Sequence, residues 1–196
     1  KKIDQTKLFN FLREMEFNRL LSQAIEFYGN AENKTKNYSS TKKEEKIDTK
    51  NYICIDNEIK LNDFLKKLND SKIISVDTET TSLNPLEAEL VGISFSYAPN
   101  KACYIPVFHN KGKNIDKKKL IEKIKPILED QSIKKVGQNL KYDYLILKKE
   151  GIEIDPIEDT MLLSYTLDAG LNRHSLDILS EIHLNHKTIS YKDLVG

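Results

Sequence analysis

The chain has 196 residues, enough for one domain of moderate size and some additional sequence. It carries 31 Lys and Arg against 30 Asp and Glu, so a formal net charge of +1 neither demands nor excludes a polyanionic partner. No apolar run approaches a membrane span and no secretory segment opens the sequence, so we expect a cytoplasmic protein without a membrane partner. Cys54 and Cys103 form no metal-binding pattern, and we interpret both as small buried side chains in a reducing compartment.

The first fifty residues divide into a helical segment and a polar segment. Between Lys7 and Tyr28, leucine, phenylalanine and methionine recur near helical spacing, which predicts an amphipathic helix. Residues 30–50 are rich in Asn, Lys, Glu, Ser and Thr and nearly lack large apolar side chains, as is typical of a flexible linker. We therefore predict a helix within residues 1–29, a linker at 30–50 and a globular domain at 51–196.

The globular part contains strand-like and helix-like patterns. Runs of apolar and β-branched residues predict strands at 52–55, 73–80, 90–97, 102–107 and 133–137. Apolar side chains at helical spacing predict helices at 58–69, 117–128, 140–149, 159–167 and 175–184. Strands cluster first, helices dominate later and a helix crosses between strands, which favours an α/β fold with a mixed β-sheet flanked by helices.

The most informative stretch is the strand at 73–80, Ile-Ile-Ser-Val-Asp-Thr-Glu-Thr. Side chains alternate along a strand, so Asp77 and Glu79 should point to one face, with Cα atoms about 6.6 Å apart. Two carboxylates at the end of a buried strand repel each other, and a hard divalent cation is the usual compensation. The pair alone is also compatible with a solvated strand end that carries two surface acids.

A second polar group, Gly-Gln-Asn-Leu-Lys-Tyr-Asp at 137–143, follows a predicted strand and enters a predicted helix. Asn139 and Asp143 are four residues apart, so we expect them on one helical face. A helix N-terminus beside strand ends attracts anions, including phosphate. In the alternative interpretation, Asn139 is a helix cap and Asp143 a solvated surface acid.

Together the two groups resemble the motifs of a known enzyme family. Residues 76–80 resemble the first motif of proofreading 3′→5′ exonucleases with an Asp-Glu-Asp-Asp carboxylate set, and residues 137–143 resemble the second, Asn-x-x-x-Asp. The separation between the motifs also fits. Over about residues 52–196, four further stretches look like one subgroup, the exonuclease domain of bacterial DNA polymerase I: 90–95, 104–107, 159–162 and 186–189. The amino-terminal helix is similar, with less specificity, to the end of the preceding 5′-nuclease region.

The resemblance implies a ribonuclease-H-like fold and a two-metal nuclease site. Asp77, Glu79 and Asp143 match the family's catalytic and metal-binding positions, which hold two divalent ions, Mg²⁺ or Mn²⁺. Two cations close together stabilise the attacking and the leaving oxygen of an in-line displacement. The implied substrate is a single-stranded 3′ end of DNA, and the implied partners are the 5′-nuclease and polymerase domains of the same longer chain.

The resemblance also implies contacts with the substrate. Leu83 matches a position that wedges against the terminal bases, and Tyr191 matches an aromatic that packs on the terminal nucleotide. Four further residues match strand-contacting or site-flanking positions: Thr78, Gln138, Asn139 and Tyr142. From the residues alone, ordinary packing or capping remains the alternative for these positions.

The sequence departs from the family pattern in its last part. The family's third motif, Tyr-x-x-x-Asp, lies farther downstream of Asp143 than the sequence extends. Tyr165 is followed by Asp168, one residue too soon, and Tyr191 by Asp193, two residues too soon. We therefore expect a piece of a longer polymerase that binds its metals weakly and is nearly inactive alone.

Two other functions remain as alternatives. A ribonuclease-D-like RNA exonuclease uses the same carboxylates as a DNA exonuclease. A non-catalytic scaffold domain is also conceivable, because some polymerases of this family have lost their exonuclease carboxylates. The intact Asp77, Glu79 and Asp143 argue against the scaffold.

Overall fold

A computed structural model of the chain describes residues 3–29, 49–170, 172–189 and 193. The chain divides into two compact units, Lys1–Lys43 and Glu44–Gly196. The predicted linker lies almost entirely outside the described residues, and its last two residues begin a short 3₁₀ turn, Thr49–Asn51. Among the helices of the described residues, none combines the length and apolarity needed to cross a membrane.

Within residues 3–29, the described part of the amino-terminal unit, the chain forms two helices, α1 at Gln5–Glu14 and α2 at Asn18–Tyr28. The prediction of one continuous helix between Lys7 and Tyr28 was wrong, because the chain leaves the helical conformation between Glu14 and Asn18. Glu16 adopts a left-handed conformation with φ of 56°, and the N–H of Phe17 donates to the Leu12 carbonyl at 2.9 Å. This is the hydrogen-bond pattern that commonly ends a helix at glycine. Because glutamate stands at that position, the sequence carried no visible stop signal.

Six strands form one sheet in the order β1-β4-β3-β2-β5-β6. Their bounds are β1 Tyr52–Cys54, β2 Ile73–Thr80, β3 Leu90–Ala98, β4 Lys101–Pro106, β5 Lys134–Gly137 and β6 Ile157–Asp159. β3 pairs antiparallel with both β2 and β4. The other pairs are parallel: β1 with β4, β2 with β5, and β5 with β6. The carboxyl ends of β2, β4, β5 and β6 therefore lie along the same edge of the sheet.

The predicted mixed sheet with helices is confirmed. Among residues 49–189, as far as the structure describes them, the helices are α3 Glu58–Asn69, α4 Lys117–Leu128, α5 Lys141–Lys149, α6 Thr160–Leu167 and α7 Leu176–Leu184. α3 and α4 have the predicted bounds. β6 was not predicted, because its three residues include two acids and show no apolar alternation. Its hydrogen bonds to β5 make it a strand.

The core lies on one face of the central strand β2. Ile74 and Val76 are buried and belong to one apolar cluster with side chains of α3, α4 and α5. Ser75, Asp77 and Glu79 alternate with them and are exposed on the other face. The two-residue period of a strand thus divides β2 into an apolar face and a polar face.

Candidate active site

Asp77 and Glu79 lie on the exposed face near the carboxyl end of β2, as the strand period predicts. In the adjacent strand β3, Ser94 is the partner of Asp77 and Gly92 the partner of Glu79. Both carboxylates are exposed, and the Tyr104 ring of β4 occupies the space over Gly92.

Asp143 enters the site from α5 and is only 3% exposed. Thr78, on the buried face of β2, donates to Asp143 Oδ1 through its backbone N–H at 2.8 Å and its hydroxyl at 2.6 Å. Hydrogen bonds to a charged acceptor are the stronger kind in proteins. Thr78, predicted as a substrate contact, thus holds the third acid against the strand that carries the other two.

A close approach between β2 and the start of α5 makes this contact possible. A Cβ on Gly137 would lie 2.6 Å from Leu140 Cδ2 and 2.9 Å from the Val76 carbonyl oxygen. Real Cβ atoms essentially never come so near. Glycine at 137 therefore lets the end of β5 lie close both to Val76 in the neighbouring strand β2 and to Leu140 at the start of α5.

The three acids interact electrostatically. Partial desolvation, together with the nearby charges of Asp143 and Glu79, raises the pKa of Asp77 to about 6. Burial also raises the pKa of Asp143, against the lowering effect of the Thr78 hydrogen bonds. Carboxyl groups whose pKa values are raised by burial and by neighbouring like charges are candidates for a functional site.

The donor set suits a hard divalent cation, because all three side chains offer carboxylate oxygens. Crowded like charges are also what a cation would relieve. Within the described residues, however, no group of three or more His, Cys, Asp or Glu side chains is arranged so that it could hold a metal ion. The chemistry of the acids therefore fits a cation, while their present arrangement does not form a cage around one.

The turn between β5 and α5 corrects one prediction. The helix begins at Lys141, and Asn139 lies outside it in a left-handed conformation with φ of 57°. The expected shared helical face of Asn139 and Asp143 was therefore wrong. Asn139 is exposed and does not cap α5 with its side chain, and Asp143 is buried, so the capping alternative is also wrong.

Asp159, which sequence reasoning did not select as a site residue, organises this turn. Its Oδ1 accepts from the N–H of Asn139 at 3.1 Å and of Met161 at 2.8 Å, and its Oδ2 accepts from the N–H of Leu140 at 2.8 Å. An anion such as phosphate was expected at this turn, and in the structure the Asp159 carboxylate takes that place. Asp159 directly precedes α6 and caps its first turn, and this capping position is the sequence signal that could have identified it.

Gln138 makes internal hydrogen bonds. Its Nε2 donates to the carbonyl of His174 at 2.8 Å, and its Oε1 accepts from the Thr160 hydroxyl at 2.5 Å. The buried His174 ring in turn contacts Ser164 through Nδ1 at 2.8 Å. Gln138 therefore ties β5 to α6 and to the segment before α7.

The loop between β2 and β3 carries Leu83, which is 96% exposed. Tyr142 of α5 donates its hydroxyl to the Ser82 carbonyl at 2.5 Å. Lys149, at the other end of α5, donates to the carbonyls of Leu86 at 3.0 Å and Ala88 at 2.7 Å. α5 thus supplies Asp143 and two anchors for the loop that presents Leu83. Tyr191 lies outside the described residues.

The fold of this unit is also found in solved structures of other proteins. The structure of Escherichia coli RNase D matches with a TM-score of 0.58 at 19% identity, over 72% of this chain and 36% of that one. Brucella melitensis NrnC with bound Mg²⁺ matches with a TM-score of 0.54 at 23% identity, over 74% and 65%. At these identities the likeness shows the fold, and the predicted ribonuclease-H-like class is confirmed.

Sequence comparison shows the family. A family model described as 3′-5′ exonuclease matches residues 52–196. DNA polymerase I of Rhizobium leguminosarum is 40% identical in an alignment of 165 residues that covers 74% of this chain and 16% of that protein. DNA polymerase I of Borreliella burgdorferi is 42% identical in an alignment of 153 residues that covers 76% of this chain and 16% of that protein. The chain belongs to the 3′–5′ exonuclease family and spans about a sixth of the length of these curated relatives.

Proposed function

We propose that the chain is the 3′→5′ exonuclease domain of a bacterial DNA polymerase I and removes mismatched nucleotides from a single-stranded 3′ end of DNA. Three acids at the carboxyl end of the central strand, Asp77, Glu79 and Asp143, carry the proposal. The 5′-nuclease and polymerase domains of the same longer chain are the proposed partners. The much greater length of the related polymerases supports this assignment.

Asp77, Glu79 and Asp143 would hold the divalent cations, two Mg²⁺ or Mn²⁺ ions. Such ions supply charge stabilisation to the attacking and leaving oxygens of the phosphodiester. Thr78 already occupies Oδ1 of Asp143 with two hydrogen bonds, so Oδ2 is the oxygen left for a cation. Glu79 lies on the open face of β2 and would orient the attacking water.

The neighbouring residues would position the strand. Leu83 projects into solvent from its anchored loop and would wedge against the terminal base. Asn139 is held at the turn by Asp159 and would contact the strand beside the acids. Tyr142 and Gln138 make internal hydrogen bonds, so we assign them positioning roles at the edge of the site.

Replacing Asp77 in the full-length polymerase tests the assignment. Asp77→Ala should abolish excision from a 3′-mismatched primer and leave polymerisation nearly unchanged, because the acid serves only the exonuclease site. Asp63→Ala, which removes an exposed acid of α3, is the matched control. Comparable excision by Asp77→Ala and the unaltered enzyme would refute the metal assignment.

A second experiment concerns the third motif. The test compares this 196-residue chain with a longer chain extended through the third motif, Tyr-x-x-x-Asp, using a labelled single strand with Mg²⁺ or Mn²⁺. The shorter chain should be close to inactive, because the motif's aspartate would hold a metal and its tyrosine would orient the attacking water. Misplacing reactive groups by about 1 Å can cost on the order of a hundredfold in rate. Equal rates would mean that an acid within residues 1–196 fills that role.

An RNA exonuclease is the second candidate, favoured by the fold likeness to RNase D. DNA and RNA oligonucleotides of matched sequence separate the two functions. Faster degradation of RNA would overturn the DNA assignment and keep the carboxylate site.

A further inference from the structure

The segment that follows β4 begins at the edge of the proposed active site. Pro106 at the end of β4 is the partner of Gly92 in β3, and Gly92 is the partner of Glu79 in β2. The chain therefore leaves β4 two strands away from Glu79, at the carboxyl edge of the sheet. We refer to residues 108–114, Phe-His-Asn-Lys-Gly-Lys-Asn, as the 108–114 loop.

An aromatic contact fixes the start of this loop beside Glu79. The Tyr104 ring fills the space over Gly92, since a Cβ on that glycine would lie 2.0 Å from the Tyr104 hydroxyl oxygen. Cross-strand partners on one face lie about 4.5–5.5 Å apart at Cβ, so the hydroxyl stands next to the Glu79 side chain. The same hydroxyl hydrogen-bonds His109 Nε2 at 2.6 Å.

The loop is closed by its own side chains. Asn114 Oδ1 accepts from the His109 N–H at 2.8 Å, and Asn114 Nδ2 donates to the His109 carbonyl at 2.9 Å. The N–H of Ile115, whose side chain is in the core, donates to the Pro106 carbonyl at 2.8 Å. Gly112 supplies the left-handed conformation needed to reverse the chain, with φ of 84°. These contacts connect the two ends of the loop.

The closed loop presents one aromatic and two cationic side chains. Phe108 is 61% exposed. Lys111 and Lys113 are exposed and form no ion pair with any described residue. Just after the loop, by contrast, Lys117 pairs with Glu150 at 2.9 Å. The loop lysines thus remain available to an external anion.

We propose that the 108–114 loop binds the single strand near its 3′ end, with Phe108 stacked on a base and Lys111 and Lys113 facing phosphates. This inference rests on the proposed exonuclease function. An unpaired strand combines free base faces with closely spaced negative charges, which an exposed aromatic flanked by cations recognises. A duplex has its base faces already stacked and offers Phe108 no partner. A protein segment is the competing occupant of this surface. If it is the true occupant, the titrations with oligo(dT) described below show no binding at the loop.

Fluorescence tests the stacking contact directly. The chain contains no tryptophan, so Phe108→Trp places a single indole on the loop. Titration with oligo(dT) in EDTA, which prevents cleavage, should quench its emission. Ile59→Trp replaces a residue of α3 that is 76% exposed and is the matched control, for which no quenching is expected. Equal responses from the two variants, or none from Phe108→Trp, would overturn the proposal.

Affinity tests the contribution of each side chain. Phe108→Ala should raise the Kd for oligo(dT) about 5- to 140-fold, the range that corresponds to loss of one base–aromatic stack. Lys111→Gln combined with Lys113→Gln should reduce the slope of log Kd against log salt by about 1.4, since each phosphate contact to a single strand contributes about 0.7. Lys66→Gln with Lys123→Gln, on α3 and α4, is the charge-matched control and should leave the slope unchanged. Unchanged Kd and slope in the loop variants would refute the proposal.

The outcomes for the loop and for the proposed function are separable. If Phe108→Trp is quenched but Asp77→Ala degrades DNA as fast as the unaltered enzyme, the catalytic assignment fails and the loop stands. If excision depends on Asp77 but Phe108→Ala leaves both Kd and KM unchanged, the loop proposal fails and the exonuclease stands.

Discussion

Replacing Asp77 by asparagine should stabilise the metal-free chain at pH 8 and leave its stability almost unchanged at pH 4. The folded pKa of Asp77 is raised from 3.8 to about 6. Above pH 6 the folded chain must carry a carboxylate that is partly desolvated and faces Asp143 and Glu79. The folded state binds more protons than the unfolded state between pH 4 and 6, so stability falls as pH rises through that window. Asparagine removes the charge and with it this cost.

The difference between the ordinary pKa of Asp77, 3.8, and its folded pKa of about 6 corresponds to at most about 3 kcal/mol of unfolding free energy. Asp77 is exposed as a residue, and solvent screening reduces the expected effect to about 1 kcal/mol. For a domain of this size, that is a rise in Tm of roughly 2–4 °C. At pH 4 Asp77 is already protonated in the folded state, so the cost of its charge is absent there and only a small fraction of the effect at pH 8 is expected.

Thermal unfolding in EDTA at pH 4, 6 and 8 measures this effect. Glu122→Gln, which neutralises an exposed acid of α4, is the control and should shift Tm little at any pH. Added Mg²⁺ at pH 8 should stabilise the unaltered chain but not Asp77→Asn, because the cation relieves the same repulsion. A variant that is destabilised at pH 8, or equally stabilised at pH 4 and 8, would refute the electrostatic reasoning.

Three further predictions follow from single contacts. Thr78→Val removes the 2.6 Å hydroxyl hydrogen bond to Asp143. The variant should bind Mg²⁺ more weakly, measured by calorimetry, and should lose about 1.5–3 kcal/mol of unfolding free energy. Unchanged metal binding and stability would contradict this prediction. Lys135 is fully buried and donates to the carbonyls of Asp130 and Ile133 at 2.8 and 2.7 Å. Lys135→Met should lower the urea-unfolding free energy by about 1–3 kcal/mol, whereas Lys118→Met on the exposed side of α4 should not. Deleting residues 1–50 should leave the Tm of the remainder within a few degrees, because a change of 1 kcal/mol moves Tm by roughly 2–8 °C; a much larger drop would place the amino-terminal helices in the exonuclease core.

Some features of the site followed from the sequence because they depend on neighbours along the chain. The side-chain period of a strand placed Asp77 and Glu79 on one face of β2. The bounds of α3 were also predictable, since Asn57 caps its first turn and apolar residues recur along it. The family resemblance rested on residue types at fixed spacing, which a linear motif records directly.

Other features required the tertiary structure. Thr78 and Asp143 are 65 residues apart, and nothing near either one indicates their hydrogen bonds. β6 is a strand because β5 lies beside it, and Asp159 reaches the Asn139 turn because the two strands pair in that register. Tyr104 stands beside Glu79 because β4, β3 and β2 align it over Gly92. Local sequence determines backbone periodicity, but strand register determines which side chains meet, and register is set by pairing between distant segments.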